Sequence, residues 1–426
     1  MKTLLILLML GQIMMAATIQ KIEVNNKEIP VIFEQDNRLP LVTLQFVFTN
    51  SGTITDTTKA GLAKFSARVM SEGTKTLGSS KFAEALEAKA IHISASTGKE
   101  TFVIEVGCLK DQLPTALKYF EALLKDPNLS QEAIKKVKAT TIGAISSKAN
   151  DFDYVAANEL KKLLFVNTPL ANPSSGTVES VKSINLTDVK NFIKTHIVSS
   201  RLIVVIGGDV DLNDTKAKIT KIIKILPQGR ATKVKNYAAT SEASVNIIKK
   251  ETQQAYVYFG SPYHMNVDDK DYYKARVATY ILGTGGFGSR LMEEIRVKRG
   301  LAYSAYARVS VSKSSSYMSG YLQTKLESME ESKTTVKEVV AKFVKDGVTK
   351  SELKQTKKFL LGSEPLRVET MSQRLNRTFM EYYKGQGLGH SAKELQLIKD
   401  LKLKDLNKFI KEHKEILEMS FAIVTK

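Results

Sequence analysis

Apolar positions along the chain switch between the strand period of two and the helical period of 3.6 in an order that occurs twice. In the first half, strands are predicted near Pro30–Phe33 and Leu41–Phe48, then helices from about Thr57 to Ser71 and near Ser80–Ala88. Two alternating strands follow at Ile91–Ser96 and Thr101–Gly107, and helical spacing continues to Phe165. The second half repeats the order with a strand at Ala255–Phe259, helices over Lys270–Leu282 and Ser289–Lys298, strands near Tyr303–Val311 and Tyr317–Gln323, then helices. Each half closes on an amphipathic helix and a β-rich run. Val181–His196 (VKSINLTDVKNFIKTH) reappears at Ile398–His413 (IKDLKLKDLNKFIKEH), an offset of 217 residues, with seven of sixteen positions identical. Lys125-Asp126 before Leu129-Ser130 and Lys345-Asp346 before Val348-Thr349 follow the same scheme, and Thr349 with Glu352 has capping-box spacing.

A period near half the chain length predicts a duplicated domain, since solenoid repeats recur every 20–50 residues. The predicted fold is α+β: two duplicated α/β-sandwich domains, each an antiparallel sheet covered by helices, closing as a clamshell. The boundaries read from the pattern are 18–228 and 245–426, joined by a polar linker over 229–244. A cleft between two such lobes is a natural place for a ligand.

Composition fits this picture, because 426 residues with 43% hydrophobic content suffice for two cores. Residues 1–17 (MKTLLILLMLGQIMMAA) have the layout of a secretory signal peptide, with Lys2, an apolar run and small residues at Ala16-Ala17. The expectation is export, with the periplasm as destination; the alternative is an uncleaved leader that anchors the chain to the membrane. The single cysteine, Cys108, excludes an internal disulfide and falls in a strand that would bury it. The net charge of +19 is compatible with an acidic peptide, an acidic partner or peripheral contact with an anionic membrane, and equally with a solvated lysine-rich surface. Its basic residues are interleaved with acids and Trp is absent, so nucleic acid is not expected as a partner.

Three segments carry a family resemblance. Lys59–Arg68 through Glu72-Gly73-Thr74, Arg201–Asp209 (RLIVVIGGD) and Leu291–Tyr303 (LMEEIRVKRGLAY) resemble the first-domain zinc stretch, the strand closing the first domain and the second-domain L-x-x-x-x-R-x-x-x-G-L-x-Y run of the pitrilysin-type (M16) zinc metallopeptidases. That family includes the mitochondrial processing peptidase. With the duplication, the resemblance spans essentially the whole mature chain and implies the family's metallohydrolase fold.

The catalytic half of the resemblance fails. The family motif places two His four residues apart on one helical face beside a Glu base. The corresponding positions here are Lys64, Ala67 and Arg68, and the region aligned with the third ligand, near Gly143 or Ala144, has no glutamate between Glu132 and Glu159. None of the five histidines (His92, His196, His264, His390 and His413) has another His three to five residues away. His196 and His413 fall at helix ends, where capping of carbonyls is expected. No metal is expected in this chain. The second-domain run is complete, however, and the resemblance implies that Arg296 and Tyr303 contact a peptide substrate. Gly283–Gly288 matches G-x-G-x-x-G but follows helical spacing, so a close helix-to-helix turn is expected there in preference to a phosphate loop.

Some members of the family are heterodimers in which one subunit carries the zinc motif. The expectation is therefore a zinc-less subunit of an exported metallopeptidase, inactive alone, paired with a zinc-binding subunit or with a second copy. Zinc is then expected in the partner. The alternative is a peptide-binding or scaffold protein of the cell envelope without chemistry, and fold alone would suggest an active zinc peptidase.

Overall fold

A computed structural model describes residues 17–426; the expected leader falls almost wholly outside the described residues. The first sheet consists of β1 (Thr18–Val24), β2 (Lys27–Gln35), β3 (Leu41–Thr49), β4 (His92–Thr97), β5 (Thr101–Leu109) and β6 (Leu202–Gly208), in the spatial order β1-β2-β6-β3-β5-β4. Its helices are α1 (Leu62–Met70), α2 (Gly78–Glu87), α3 (Leu113–Lys125), α4 (Gln131–Ser147), α5 (Phe152–Leu164), α6 (Val178–Ser183), α7 (Leu186–His196) and α8 (Leu212–Ile223). The second sheet consists of β7 (Val245–Lys249), β8 (Gln254–Pro262), β9 (Ala302–Val311), β10 (Ser316–Lys325) and β11 (Ser420–Thr425), in the order β7-β11-β8-β10-β9. It carries α9 (Tyr272–Thr279), α10 (Arg290–Met292, continued by a π turn over Glu293–Lys298), α11 (Met329–Asp346), α12 (Lys350–Gly362), α13 (Met371–Lys384), α14 (His390–Asp400) and α15 (Leu403–Glu412).

Removing β1 leaves two sheets with the same strand order, which is the duplication in three dimensions. Each is antiparallel except for one pair, β2 with β6 and β7 with β11, which run parallel. The alternation read from sequence places Val42, Leu44, Phe46 and Phe48 of β3 beside Phe102, Ile104 and Val106 of β5 on one buried face. There Phe46 stacks on Phe120 of α3 with ring centroids 4.2 Å apart. Each such fully buried side chain contributes on the order of 2 kcal/mol. Polar termini are capped where the spacing indicates. Thr349 and Glu352 form the expected capping box, and Asn185 with Asp188 forms another at the start of α7. Cys108 is buried in β5, and burial pushes its thiol up to about 11, the setting of a packed rather than a reactive cysteine.

The opposite face of each sheet is covered by a helix from the other half. α5 belongs to the first half by sequence yet packs Leu160 and Leu164 against β8 and β11 of the second sheet, next to Ala422. α13 is its counterpart in the element order of the second half, and it packs Leu375 and Tyr383 against Ile32, Val47, Ile203 and Val205 of the first sheet. Glycine on the receiving strands makes room: a Cβ on Gly207 would stand 2.3 Å from Leu375 Cδ1, and one on Gly260 2.9 Å from Leu164 Cδ1. The equivalent hairpin tips also meet. Lys99 Nζ donates to Ser312 Oγ (2.7 Å) and Ser315 Oγ (3.0 Å), while Glu100 accepts from the Ser314 amide and the Tyr383 hydroxyl, both at 2.8 Å. The connection over 229–244 is polar but tied down, with the Tyr237 amide on the Ser314 carbonyl (2.8 Å) and the Thr240 amide on the Leu164 carbonyl (2.9 Å).

Three details differ from the sequence pattern. β1 and β7 were not indicated. The helix expected from Thr57 starts only at Leu62, because Gly61 is left-handed and the Asp56 carboxylate caps the helix from outside it. Finally, among the described contacts neither His196 nor His413 caps the carbonyls of its own helix. His196 stacks on Phe192 and its Nδ1 accepts from Arg201 (2.8 Å), whereas His413 stacks on Tyr263 and its Nδ1 meets Glu415 Oε1 at 2.8 Å.

Candidate functional site

α1 begins at the buried Asp56, whose carboxylate accepts from the Gly61 amide (3.0 Å) and the Ala63 amide (2.9 Å). The helix buries Phe65 and Val69 against Ile134 and Val137 of α4, and Ala63, Ala67 and Met70 against the first sheet. It runs alongside β4, the last strand of that sheet, whose outer edge is unpaired among the described residues.

Lys64 and Arg68 are half-buried one turn apart on α1, and Ala67 between them is buried. Arg68 donates to Thr141 Oγ1 on α4 at 2.7 Å, so its guanidinium fills the space between the two helices. Burial, and then the charges of Arg68 and Lys148, hold the Lys64 ammonium below the usual lysine range. Two cations, Lys64 and Arg68, thus stand at the positions that correspond to the family's His ligands, with the charge of Lys148 felt nearby. Among the described residues no group of three or more His, Cys, Asp or Glu side chains is arranged to hold a metal ion. The positions of the family's two His ligands carry positive charge and those of its carboxylates carry Ala67 and Gly143 or Ala144, so these residues do not fit zinc.

The second sequence-predicted pair does come together. α10 and its π turn carry Arg296 across to Tyr303 at the start of β9, and the guanidinium carbon lies 4.1 Å from the Tyr303 ring centroid. Phe287 closes on the other side, 4.5 Å from the same carbon, so the guanidinium is sandwiched between two rings. Tyr303 is 81% exposed and Phe287 64% exposed, which leaves the stack standing in solvent. Stacking uses the faces of the guanidinium and leaves its in-plane N–H donors free. Phe287 was not singled out from sequence; its signal is an aromatic residue inside the glycine run Gly283–Gly288. The run joins the π turn that ends α9 (Tyr280–Thr284) to α10, and the two helical segments pack on each other. Gly283 lies against the backbone of Ala307 in β9, where a Cβ would come within 2.5 Å of the Ala307 nitrogen and oxygen.

The architecture is therefore that of a two-lobed metallopeptidase clamshell with its metal positions substituted. Residues 31–178 match the family described as insulinase (peptidase family M16), and residues 183–360 match the peptidase M16 inactive domain. The chain is 42% identical over 427 residues to the non-peptidase homolog YmxG of Helicobacter pylori, covering 100% of this chain and 99% of that protein. Its fold is similar to the crystal structure of the peptidase M16 inactive domain from Pseudomonas fluorescens, with TM-score 0.86 at 23% identity over 95% of this chain and 98% of that one. It also resembles the periplasmic protease PqqL from Escherichia coli, with TM-score 0.76 at 14% identity over 96% of this chain and 46% of that one. The chain belongs to the M16 peptidase family. Within it, this is a non-catalytic homologue without an intact zinc motif. Among the described residues no helix is long and apolar enough to cross a membrane.

Proposed function

We propose that this chain is the zinc-less subunit of an exported M16-type metallopeptidase, supplying substrate-binding and transition-state contacts to a partner that carries the zinc. The observation that carries the reading is the contrast between the two half-sites: Lys64, Ala67 and Arg68 occupy the metal positions, while the half-buried Arg296 remains paired with the exposed Tyr303. A guanidinium whose edge donors are free, next to a phenol, suits a peptide carbonyl and the oxyanion that forms when water attacks it. The open edge of β4 beside α1 offers an extended peptide a strand to pair with. Export is supported by the leader-like residues 1–17. The partner is a zinc-binding relative of this chain, or a second copy in an assembly without chemistry of its own.

The test is reconstitution. Mature chain captured from its exported fraction should bring down a related chain carrying the intact zinc motif, with peptidase activity that neither shows alone. In that complex Arg296→Ala should lower turnover by roughly 100-fold, the scale of a lost oxyanion donor. Turnover unchanged by Arg296→Ala would remove the catalytic assignment. The second reading, a peptide-binding scaffold of the envelope, draws on the net charge of +19, which also accommodates contact with an anionic membrane. It predicts that the chain comes down without a zinc-bearing relative and that Arg296→Ala only weakens peptide binding.

A further inference from the structure

The face of the second sheet that receives α5 carries a row of tyrosines. Tyr258 of β8 pairs with Tyr321 of β10, which pairs with Tyr306 of β9, so the three rings stand side by side across three strands. Tyr258 and Tyr321 stack with centroids 5.5 Å apart, and Tyr306 lies 5.9 Å from Tyr321. Tyr317, two pleats along β10, meets Phe165 edge-on at 5.2 Å. α5 covers this face only in part and leaves a cavity of about 430 Å³, lined by the four tyrosines together with Lys161 of α5 and Arg308 of β9. No carboxylate lines it. The acid that reaches the tyrosine row, Asp153, is already engaged by the Tyr258 hydroxyl (3.0 Å) and the Gln323 amide (2.6 Å).

Lys161 and Arg308 thus share a cavity with no counter-charge. Burial and the neighbouring Arg308 hold the Lys161 ammonium below its ordinary range, and no carboxylate opposes them. An unpaired ammonium in such a place costs free energy that an incoming anion would recover. The cavity is far larger than a bare inorganic anion needs, and its walls are aromatic faces edged with hydroxyls, which suits an apolar or aromatic group attached to the charge.

We propose that this cavity is a subsite for a carboxylate carried on a peptide, with Lys161 and Arg308 holding the carboxylate and the tyrosine faces holding the adjoining side chain. The proposal rests on the reading of the chain as a peptide-handling protein and is independent of the zinc-bearing partner. The carboxylate is either a peptide C-terminus or an Asp or Glu side chain, and the net charge of +19 favours approach of either.

Fluorescence anisotropy of the full chain tests this with three fluorescein-labelled hexapeptides: one ending in Phe-Glu, its C-terminal amide, and the amide ending in Phe-Gln. The free acid should bind, and the Phe-Gln amide should bind roughly tenfold or more weakly, the loss expected for a charge-assisted contact. An amide ending in Phe-Glu that matches the free acid assigns the side chain, and one that matches Phe-Gln assigns the C-terminus. Lys161→Gln and Arg308→Gln should each weaken the free acid by about tenfold while melting like the wild type, and Lys161→Arg should retain binding. Equal affinity for the three peptides, no binding of any, or unaltered binding in both Gln variants overturns the proposal, and the peptide series on the wild type alone suffices for that. Arg296→Ala should leave these affinities unchanged. Loss in Arg296→Ala with none in Lys161→Gln would overturn the cavity assignment and leave the Arg296–Tyr303 reading standing.

Discussion

The buried Asp56 and the half-buried His196 are two titratable groups whose environments push in opposite directions. Asp56 has only backbone amides as partners, so burial outweighs those two hydrogen bonds and lifts its carboxyl from 3.8 to about 7. Between those values the folded chain keeps a proton that the unfolded chain has lost, so this group's contribution to stability is present in acid and is lost as pH rises through about 7. His196 is pressed from 6.5 to about 4 by burial and by the Arg201 guanidinium, whose N–H its Nδ1 accepts. Its contribution is present above 6.5 and lost as pH falls through about 4. At about 1.4 kcal/mol per unit the two are worth roughly 4 and 3 kcal/mol, and between pH 4 and 6.5 they oppose each other. Thermal melts across that window should therefore steepen in Asp56→Asn, which loses stability on acidification faster than the wild type. His196→Gln, which keeps an acceptor for Arg201, should gain relative to the wild type as pH falls. Parallel curves for Asp56→Asn and the wild type would disprove the Asp56 account. None of this was legible from residue types: Asp56 looks like any loop acid until Gly61 and Ala63 turn their amides toward it.

Among the elements, α13 shows how an exchanged helix is held in place. Its Arg374 reaches through the first sheet's border to Glu34, with Nε 2.7 Å from Oε1, and continues to the carbonyls of Val368 (3.0 Å) and Glu369 (2.7 Å). Glu34 is 2% exposed, so deleting the arginine leaves a carboxylate that water cannot reach. Arg374→Met should cost about 3–5 kcal/mol, seen as a lowered urea midpoint, whereas Arg374→Met combined with Glu34→Gln should recover much of it. A single variant as destabilised as the double would show that packing alone holds the helix. The pattern of apolar residues gave the existence of α13 and of its counterpart α5, and the Thr349–Glu352 spacing gave a helix start that the structure has. It did not give the surface each helix covers, because amphipathicity says that a face is buried and not against what. The same holds for β7: its Val245 and Ile247 face outward at an edge, and its partner β11 lies at the far end of the chain. Arg296 and Tyr303 were legible because their spacing is local. The tyrosine row was not, since Tyr258, Tyr306 and Tyr321 come together only through strand register.

At the scale of the whole molecule, the exchange of α5 and α13 makes the two halves interdependent even though each has its own sheet and core. A first half severed from the second would expose Leu160 and Leu164 on α5 and leave Ile32, Val47, Ile203 and Val205 uncovered; a severed second half would bare Leu375 and Tyr383 along with the tyrosine face. The connection over 229–244 is then not what joins them. Its role is to fit the seam, with the Asn50 side chain donating to Thr232 Oγ1 (2.6 Å) and the Asn236 side chain to the Lys313 carbonyl (3.1 Å). Such an arrangement holds the two sheets in a fixed relation, which is what positioning a peptide would require. A single protease cut engineered into 229–244 should therefore leave a particle that elutes at the size of the intact chain and melts in one transition, lowered by only a few degrees. The fragments 18–228 and 229–426 expressed separately should be insoluble or bind a hydrophobic dye, and coexpression should restore the soluble particle. Two stable, separately soluble fragments would mean that the exchanged helices contribute little, and the two halves would then have to be treated as hinged.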